Sequence, residues 1–288
     1  MSSATTAFEP GLGTPIKGPS AFEGGFRRFI HLTWTLAVLE FKLKFFGSVL
    51  GYLWQLMKPL MLFGVLYVVF TQFVRIGGGI AHYPVVLLTG IVAYTFFGEG
   101  TGGCVTCVVD RENLVRRIHF PRIVIPLSVI LTAYFNFLLN FGAVVIFMLA
   151  SGVEVTLSWL EFIPLALLLG LFVVGVGTIL SSYYVRYRDV RPIWDVIVQA
   201  LFYATPILYP IERVSDTHPK IAELMMCNPL AAIIEQLRHA MIDPTAPTAA
   251  EAIGGTVRLL IPFGIIVGAC VFGLWSFDRQ APRIAEEL

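Results

Sequence analysis

The most chemically equipped stretch of this chain is Asp110–Arg122, DRENLVRRIHFPR. Six charged side chains and His119 share these 13 positions, in a protein that is only 14% charged. The cluster is mainly basic and contains no evident acid–base pair, so it suits contact with a partner surface better than catalysis. Cys104-x-x-Cys107 has a spacing seen in redox and zinc sites, but zinc needs four ligands and no second pair follows. Both cysteines read as small packing residues in an apolar helix. Glu99, in FFGEGTGGC, lies in a segment long enough to span a bilayer, where a carboxylate costs several kcal/mol unless paired, hydrated or protonated. Two readings stand open for it: a subunit contact or water-filled path, or a protonated acid bonded to backbone. Gly98, Gly100, Gly102 and Gly103 would let another helix approach it closely. Asn136 and Asn140, one turn apart, are expected to bond a neighbouring helix. His31, His82, His119, His218 and His239 are scattered. Gly13–Ser20, GTPIKGPS, has Pro19 where a P-loop needs lysine and lacks a flanking strand, so it is not read as an ATP site. No Gly-x-Ser-x-Gly, His-Glu-x-x-His or Asp-x-Asp pattern appears, and the chain is not read as an enzyme.

The elements that position these residues follow from composition. With 57% hydrophobic residues, 23 phenylalanines and a mean hydropathy of +0.79, the apolar surface is too large for a water-soluble core. A bilayer must be the solvent, and about 20 apolar residues cross it as a helix. Six segments qualify: 53–74, 84–109, 124–150, 162–184, 193–209 and 259–277. Residues 1–21 read as a flexible cytoplasmic tail without a cleavable signal, 22–48 as an amphipathic helix along the inner interface, and 49–288 as a six-span all-α transmembrane domain. Placing both termini in the cytoplasm puts 15 of the 20 basic residues there, in accord with the positive-inside rule. Residues 110–122 then lie in a cytoplasmic loop. The outer connection 211–257 is long, proline-interrupted and contains NPLAAIIEQLRHAMI, too short and polar to span, which suits an interfacial or re-entrant helix.

Several segments carry a resemblance in register. KLKFFGSVLGYLWQLMKPL (Lys42–Leu60) has Leu50, Gly51, Leu53, Trp54 and Pro59 of a pattern that opens the first span of ABC-2-type exporter permeases for cell-surface polysaccharides. ENLVRRIHFPRIVIPLS (Glu112–Ser128), YRDVRPIW (Tyr187–Trp194), TPILYP (Thr205–Pro210) and NPL (Asn228–Leu230) resemble that family's later landmarks. The resemblance implies a half-transporter: a homodimer of six-span permeases joined to two copies of a separate ATPase subunit, which carries the ATP and magnesium. It also implies an N-terminal interface helix, far-side re-entrant helices gating the path, and a first and fifth span that line it. The first cytoplasmic loop would carry a coupling helix docking on the ATPase. Here that helix is Asp110, Arg111, Glu112, Asn113, Leu114, Val115, Arg116 and Arg117, with Asp110 or Asn113 as cap and Leu114 and Val115 as apolar anchors.

The function so implied is export of a lipid-linked polysaccharide, O-antigen-like or a cell-wall galactan, across the bacterial cytoplasmic membrane, with no nucleic-acid partner. Phe63, Tyr67, Tyr94, Tyr134, Phe202 and Tyr203 are candidates to line a sugar path, set against ordinary helix packing or lipid contact. The same architecture could export teichoic acid, capsule, a lipid or a drug. A membrane-embedded polyprenyl-sugar transferase would need carboxylates at an interface. An ion-coupled carrier built on Glu99 would be expected to show internal repeats, and none is evident.

Overall fold

A computed structural model describes residues 25–45, 51–75, 80–112 and 120–287. Among the described residues every regular element is helical. In hydrocarbon each backbone N–H and C=O must be satisfied within its own segment, which selects helices for these long apolar stretches.

The first helix, α1 (Phe26–Phe45), carries apolar residues on two faces. Phe29, Leu32 and Leu36 pack inward, whereas Ile30, Trp34, Leu39 and Leu43 stay exposed beside Arg27, Arg28, Lys42 and Lys44. Such a helix can rest on the body and dip its outer face into the acyl boundary. Gly51, at φ 45°, then turns the chain in a left-handed conformation that side-chain-bearing residues resist. The second helix, α2 (Tyr52–Val68), follows and ends in a π-helical turn, Val69–Phe73.

Three long helices succeed it: α3 (Tyr83–Asp110), α4 (Val124–Ala150) and α5 (Phe162–Tyr184), the last entered through a 3-10 turn at Leu157–Glu161. After α6 (Val190–Ala204) come the short helices α7 (Ile211–Thr217), α8 (Pro219–Met226), α9 (Pro229–Met241) and α10 (Ala249–Ala252). A 3-10 turn at Thr256–Leu259 leads into α11 (Leu260–Glu287).

Five segments are long and apolar enough to cross a membrane: Leu53–Phe73, Tyr83–Asp110, Val124–Ala150, Leu157–Tyr184 and Thr256–Ala281. The expected crossing at 193–209 is not one continuous helix. Its helical part, α6, has 15 residues and so spans about 22 Å, short of the bilayer core at about 30 Å. Pro206 ends it, by removing a backbone donor and pressing Thr205 into an extended conformation.

The centre of the bundle is α3, with 72% of its most apolar 18 residues buried. It packs on α2, α4, α5, α6 and α9. On the outside, α11 lies mainly along α5. Gly175 and Gly273 make that crossing close: a Cβ on Gly175 would stand 2.7 Å from the Ala269 carbonyl carbon and the Cys270 nitrogen, and one on Gly273 2.5 Å from the Gly175 carbonyl oxygen.

The chain passes between two ends of this bundle. At one end Cys107, Val108, Phe120, Ile123, Val185, Phe277 and Ala281 form a shared core beneath α1. At the other, the start of α3 meets α9, and the Tyr83 hydroxyl donates to the Leu208 carbonyl at 3.0 Å.

Candidate functional site

At the α1 end, the basic loop is anchored before its described part runs out. Asp110 is the last residue of α3 and accepts from the Thr106 hydroxyl at 2.7 Å. Arg111 turns back under α1, where its Nη2 donates to Glu40 Oε1 at 2.6 Å and its Nη1 to the Cys107 carbonyl at 3.4 Å. The Ser128 hydroxyl of α4 lies 3.4 Å from the same Glu40 oxygen. Burial raises the Glu40 pKa above its ordinary value against the opposing pull of the Arg111 charge and the hydrogen bonds from Ser128 and Arg111. A carboxylate under such tension depends on its arginine.

Two further bonds fix this end. Thr132 Oγ1 donates to the Ala37 carbonyl at 3.2 Å, and the buried Arg122 donates to the Ala281 carbonyl, tying the start of α4 to the C-terminal part of α11. Phe120, Pro121 and Ile123 are buried in the turn that enters α4. Asn113, Leu114, Val115, Arg116 and Arg117 lie outside the described residues. Glu112 is described, as the first residue beyond the Arg111 turn.

Further along α3, Glu99 Oε2 is met by Gln55 Nε2 of α2 at 3.2 Å and by the Lys44 ammonium of α1 at 3.8 Å. Its partners are side chains of the two preceding helices, not backbone, so one carboxylate links α1, α2 and α3. The glycines beside it serve packing elsewhere: Cβ atoms on Gly100 and Gly103 would lie 2.6 Å from Val173 and 3.0 Å from Val129. Cys104 and Cys107 are free and buried, and Gly177 packs against Cys104, in keeping with a packing role. Among the described residues no group of three His, Cys, Asp or Glu side chains is arranged to hold a metal ion. Asn136 and Asn140 depart from expectation. Their Oδ1 atoms are buried and have no hydrogen-bond partner among the described residues.

The six aromatic candidates fall into three groups. Tyr94, Phe202 and Tyr203 form a row between α3 and α6, with ring centroids 5.0 and 5.4 Å apart, and the Tyr94 hydroxyl donates to the Val198 carbonyl. Phe63 and Tyr67 stack at 5.7 Å on α2, with Phe147 of α4 edge-on to Phe63. Tyr134 packs with Phe96 and Phe137 inside the core. Tyr203 is the exposed member, at 61%.

The opposite end holds an assembly that sequence reasoning did not single out. On α9, Arg238 forks onto Glu212 of α7, with Nη2 to Oε1 at 2.8 Å and Nη1 to Oε2 at 2.9 Å, while Nη1 also reaches Glu235 at 3.0 Å. Arg238 and Glu235 are both buried. Burial pushes the Glu235 carboxyl up to about 7 against the nearby Arg238 charge, with Glu212 and Asp243 adding to the rise. Asn228 joins two of the landmark segments: its Oδ1 accepts from the Leu230 N–H to cap α9, and its Nδ2 donates to Thr205 Oγ1 at 3.2 Å. Arg238 three residues after Glu235, in a helix whose first half is apolar, was a readable signal that both charges are paired. Glu212, 26 residues upstream, gave none.

These features define a class, a multi-pass helical membrane protein with charged assemblies tying the loops at both ends. The chain belongs to the ABC-2 type transporter family, whose profile matches residues 31–242. It is similar to the O-antigen export system permease protein RfbA of Klebsiella pneumoniae, with 29% identity over 250 residues covering 86% of this chain and 92% of the relative. The protein of the same name from Myxococcus xanthus is 27% identical over 258 residues, covering 88% and 94%. As a family member the chain is a permease subunit and not itself an enzyme; the ATPase that drives such a transporter is a separate subunit. It is a multi-pass protein of the bacterial inner membrane.

The Glu40–Arg111 bridge invites a charge-swap test. Arg111→Glu places two carboxylates together at a half-buried position, a loss of about 1.5–3 kcal/mol for the charged hydrogen bond. Export through the permease should fall about tenfold, and Glu40→Arg combined with Arg111→Glu should restore most of it. A double variant no better than the single one would show that the bridge itself is not what matters.

Proposed function

We propose that this chain is the transmembrane subunit of an ATP-driven exporter that moves a lipid-linked polysaccharide, O-antigen-like or a cell-wall galactan, across the inner membrane. The observation that carries this reading is similarity to O-antigen export permeases along 86–88% of the chain. In this reading two copies of the chain form the path and bind two copies of the ATPase.

The reading includes six crossings with both termini in the cytoplasm. The passage of the chain supports it. The end of α3, the end of α5 and the C-terminal part of α11 share one core under α1, which is what an even number of passes between each of these ends and the next would give. In this reading the fifth pass, which no single long helix makes, is completed by α6 and the turn at Thr205–Leu208 together, and Ile207 and Leu208 are buried where that turn reaches the start of α3. On this topology α7 to α10 form the far-side gate, re-entering from outside. Residues 110–117 are the coupling segment that docks on the ATPase. Tyr203, with Phe202 and Tyr94 behind it, is the strongest candidate to face the glycan, and Phe63 and Tyr67 of α2 follow it. Teichoic acid or capsule export by the same architecture remains the competing reading.

Cells lacking the chromosomal gene and supplied with the wild-type chain should display surface glycan. Those supplied with Arg116→Glu/Arg117→Glu should insert the permease normally yet lose ATPase co-purification and surface glycan. Normal recruitment and stimulated ATPase activity in that variant would remove the coupling assignment. Normal surface glycan without the chain would remove the substrate assignment.

A further inference from the structure

A cavity of about 470 Å³ lies between α5, α9, α10 and the start of α11. That volume sits within the range of about 300–1,000 Å³ typical of small-molecule sites. Its walls are apolar, with Leu165 and Leu168 from α5, Ala232 and Ile233 from α9, and Phe263 and Ile266 from α11. Two polar side chains complete the lining, Gln236 and Thr248, and both are engaged by the protein. Gln236 donates to Glu161 at 2.8 Å and accepts from the Ala249 N–H at 3.1 Å, while Thr248 Oγ1 accepts from the Glu251 N–H at 3.2 Å. Such a lining offers little to a sugar or a headgroup and much to hydrocarbon.

The surroundings say what covers it. Both α5 and α11 belong to crossing segments. Phe263, a wall residue, is 53% exposed, and Leu260, Ile261 and Leu167 beside the wall residues are exposed as well. The cavity is therefore continuous with the surface that these two helices present to the bilayer, whose own solvent is acyl chains. Arg258, on the turn just before Leu259 of the wall, places a half-exposed guanidinium at the same end. It pairs there with Glu223 and has further donors to share with a phosphate.

We propose that this cavity holds one acyl chain of a membrane phospholipid, entering from the leaflet at the α9 end with its phosphate near Arg258. The chain fills the wedge beneath α9, so the helix that carries Glu235, Arg238 and the Asn228 cap rests partly on lipid. The proposal concerns a resident lipid and is independent of which glycan is carried.

The test uses the full-length permease in vesicles of phosphatidylethanolamine and phosphatidylglycerol, doped with a phosphatidylethanolamine bearing a diazirine in mid-chain. After irradiation, labelled peptides are mapped by mass spectrometry. Residues 229–241 and 259–266 should be labelled several-fold more than the lipid-exposed positions Leu138 and Ile146 of α4. Ala232→Phe, which fills the cavity, should cut that excess about fivefold. If Ala232→Phe is not recovered monodisperse, Ala250→Phe at the α10 wall serves the same purpose from a less buried position. Labelling no higher than on α4, or unchanged by either filled variant, overturns the proposal. So does excess labelling obtained only with a polyprenyl phosphate probe, which would make the occupant the carrier tail of a substrate. Disulfide trapping of Phe263→Cys between two copies would show that a second chain covers the mouth, and would overturn it equally.

Discussion

Gly175→Leu should leave almost no folded permease in the membrane. The Cβ alone would stand 2.7 Å from backbone atoms of Ala269 and Cys270, and backbone cannot rotate aside as a side chain would. The helices would have to separate, and α5 is the main neighbour of α11. Between membrane helices the attraction is close packing rather than exclusion of water, so the loss has no hydrophobic compensation. Ordinary overpacking costs about 1–3 kcal/mol, and a backbone clash on a principal helix contact belongs above that range. Gly273→Leu, whose Cβ would meet the Gly175 carbonyl oxygen at 2.5 Å, should behave alike. Gly264→Leu is the control, since nothing lies within 4 Å of its Cβ direction. The measurement is the yield of monodisperse protein in mild detergent. Wild-type yield for Gly175→Leu would mean that the close crossing does not hold α11 in place.

Arg238→Met should be the most damaging single change at the α9 end of the bundle. It strips the only cation bonded to the buried Glu235 among the described residues and removes the fork to Glu212. Breaking a buried pair by deleting one partner costs about 3–5 kcal/mol, here reduced by the ease with which Glu235 takes up a proton. That ease makes a pH signature. The folded-state value of Glu235, about 7, is above the reference 4.5, so the folded state binds the proton more tightly than the unfolded chain. Its contribution to stability is full below about 4.5 and is lost as pH rises through about 7. Thermal unfolding of the wild type should therefore shift upward between pH 8 and pH 5, and Glu235→Gln should flatten that shift. In Arg238→Met the damage should be greatest at pH 8, where Glu235 lacks both proton and cation. Equal destabilisation at pH 5 and pH 8 would indicate that lost packing of the long arginine stem, not charge, sets the cost.

The two charged ends differ in how visible they were. Asp110–Arg122 announces itself by charge density, and its location after the second crossing follows from hydropathy alone. Its partner Glu40 sits 71 residues from Arg111, inside a helix whose own pattern already accounts for it as an interface element. Glu99 was conspicuous because a carboxylate in an apolar run is costly, yet neither Gln55 nor Lys44 could be named as its partner. The aromatic candidates show the same limit. Tyr94 and Tyr134 read like Tyr203, but the first two are interhelical contacts and only the last is mostly exposed.

What the sequence determined by itself is the solvent of the protein and the places where the chain must be helical. Apolar runs of bilayer length and the basic flanks are local properties, and each acts on the backbone within a turn or two of itself; Pro206 acts as locally, yet hydropathy alone reads straight through it. Tertiary structure decided which faces meet protein and which meet lipid. Hydropathy cannot record that difference, because a lipid tail and a neighbouring helix are equally apolar. Gly264-x-x-x-Gly268 spells a helix-association motif yet packs on no described residue of its own chain, whereas Gly175 and Gly273, 98 positions apart, make the close crossing. Likewise the turn at TPILYP is held at the α9 end by Asn228, which bonds Thr205, and by Tyr83, which bonds Leu208. Such pairings lie between distant residues, and their energy exists only once the chain has brought them together.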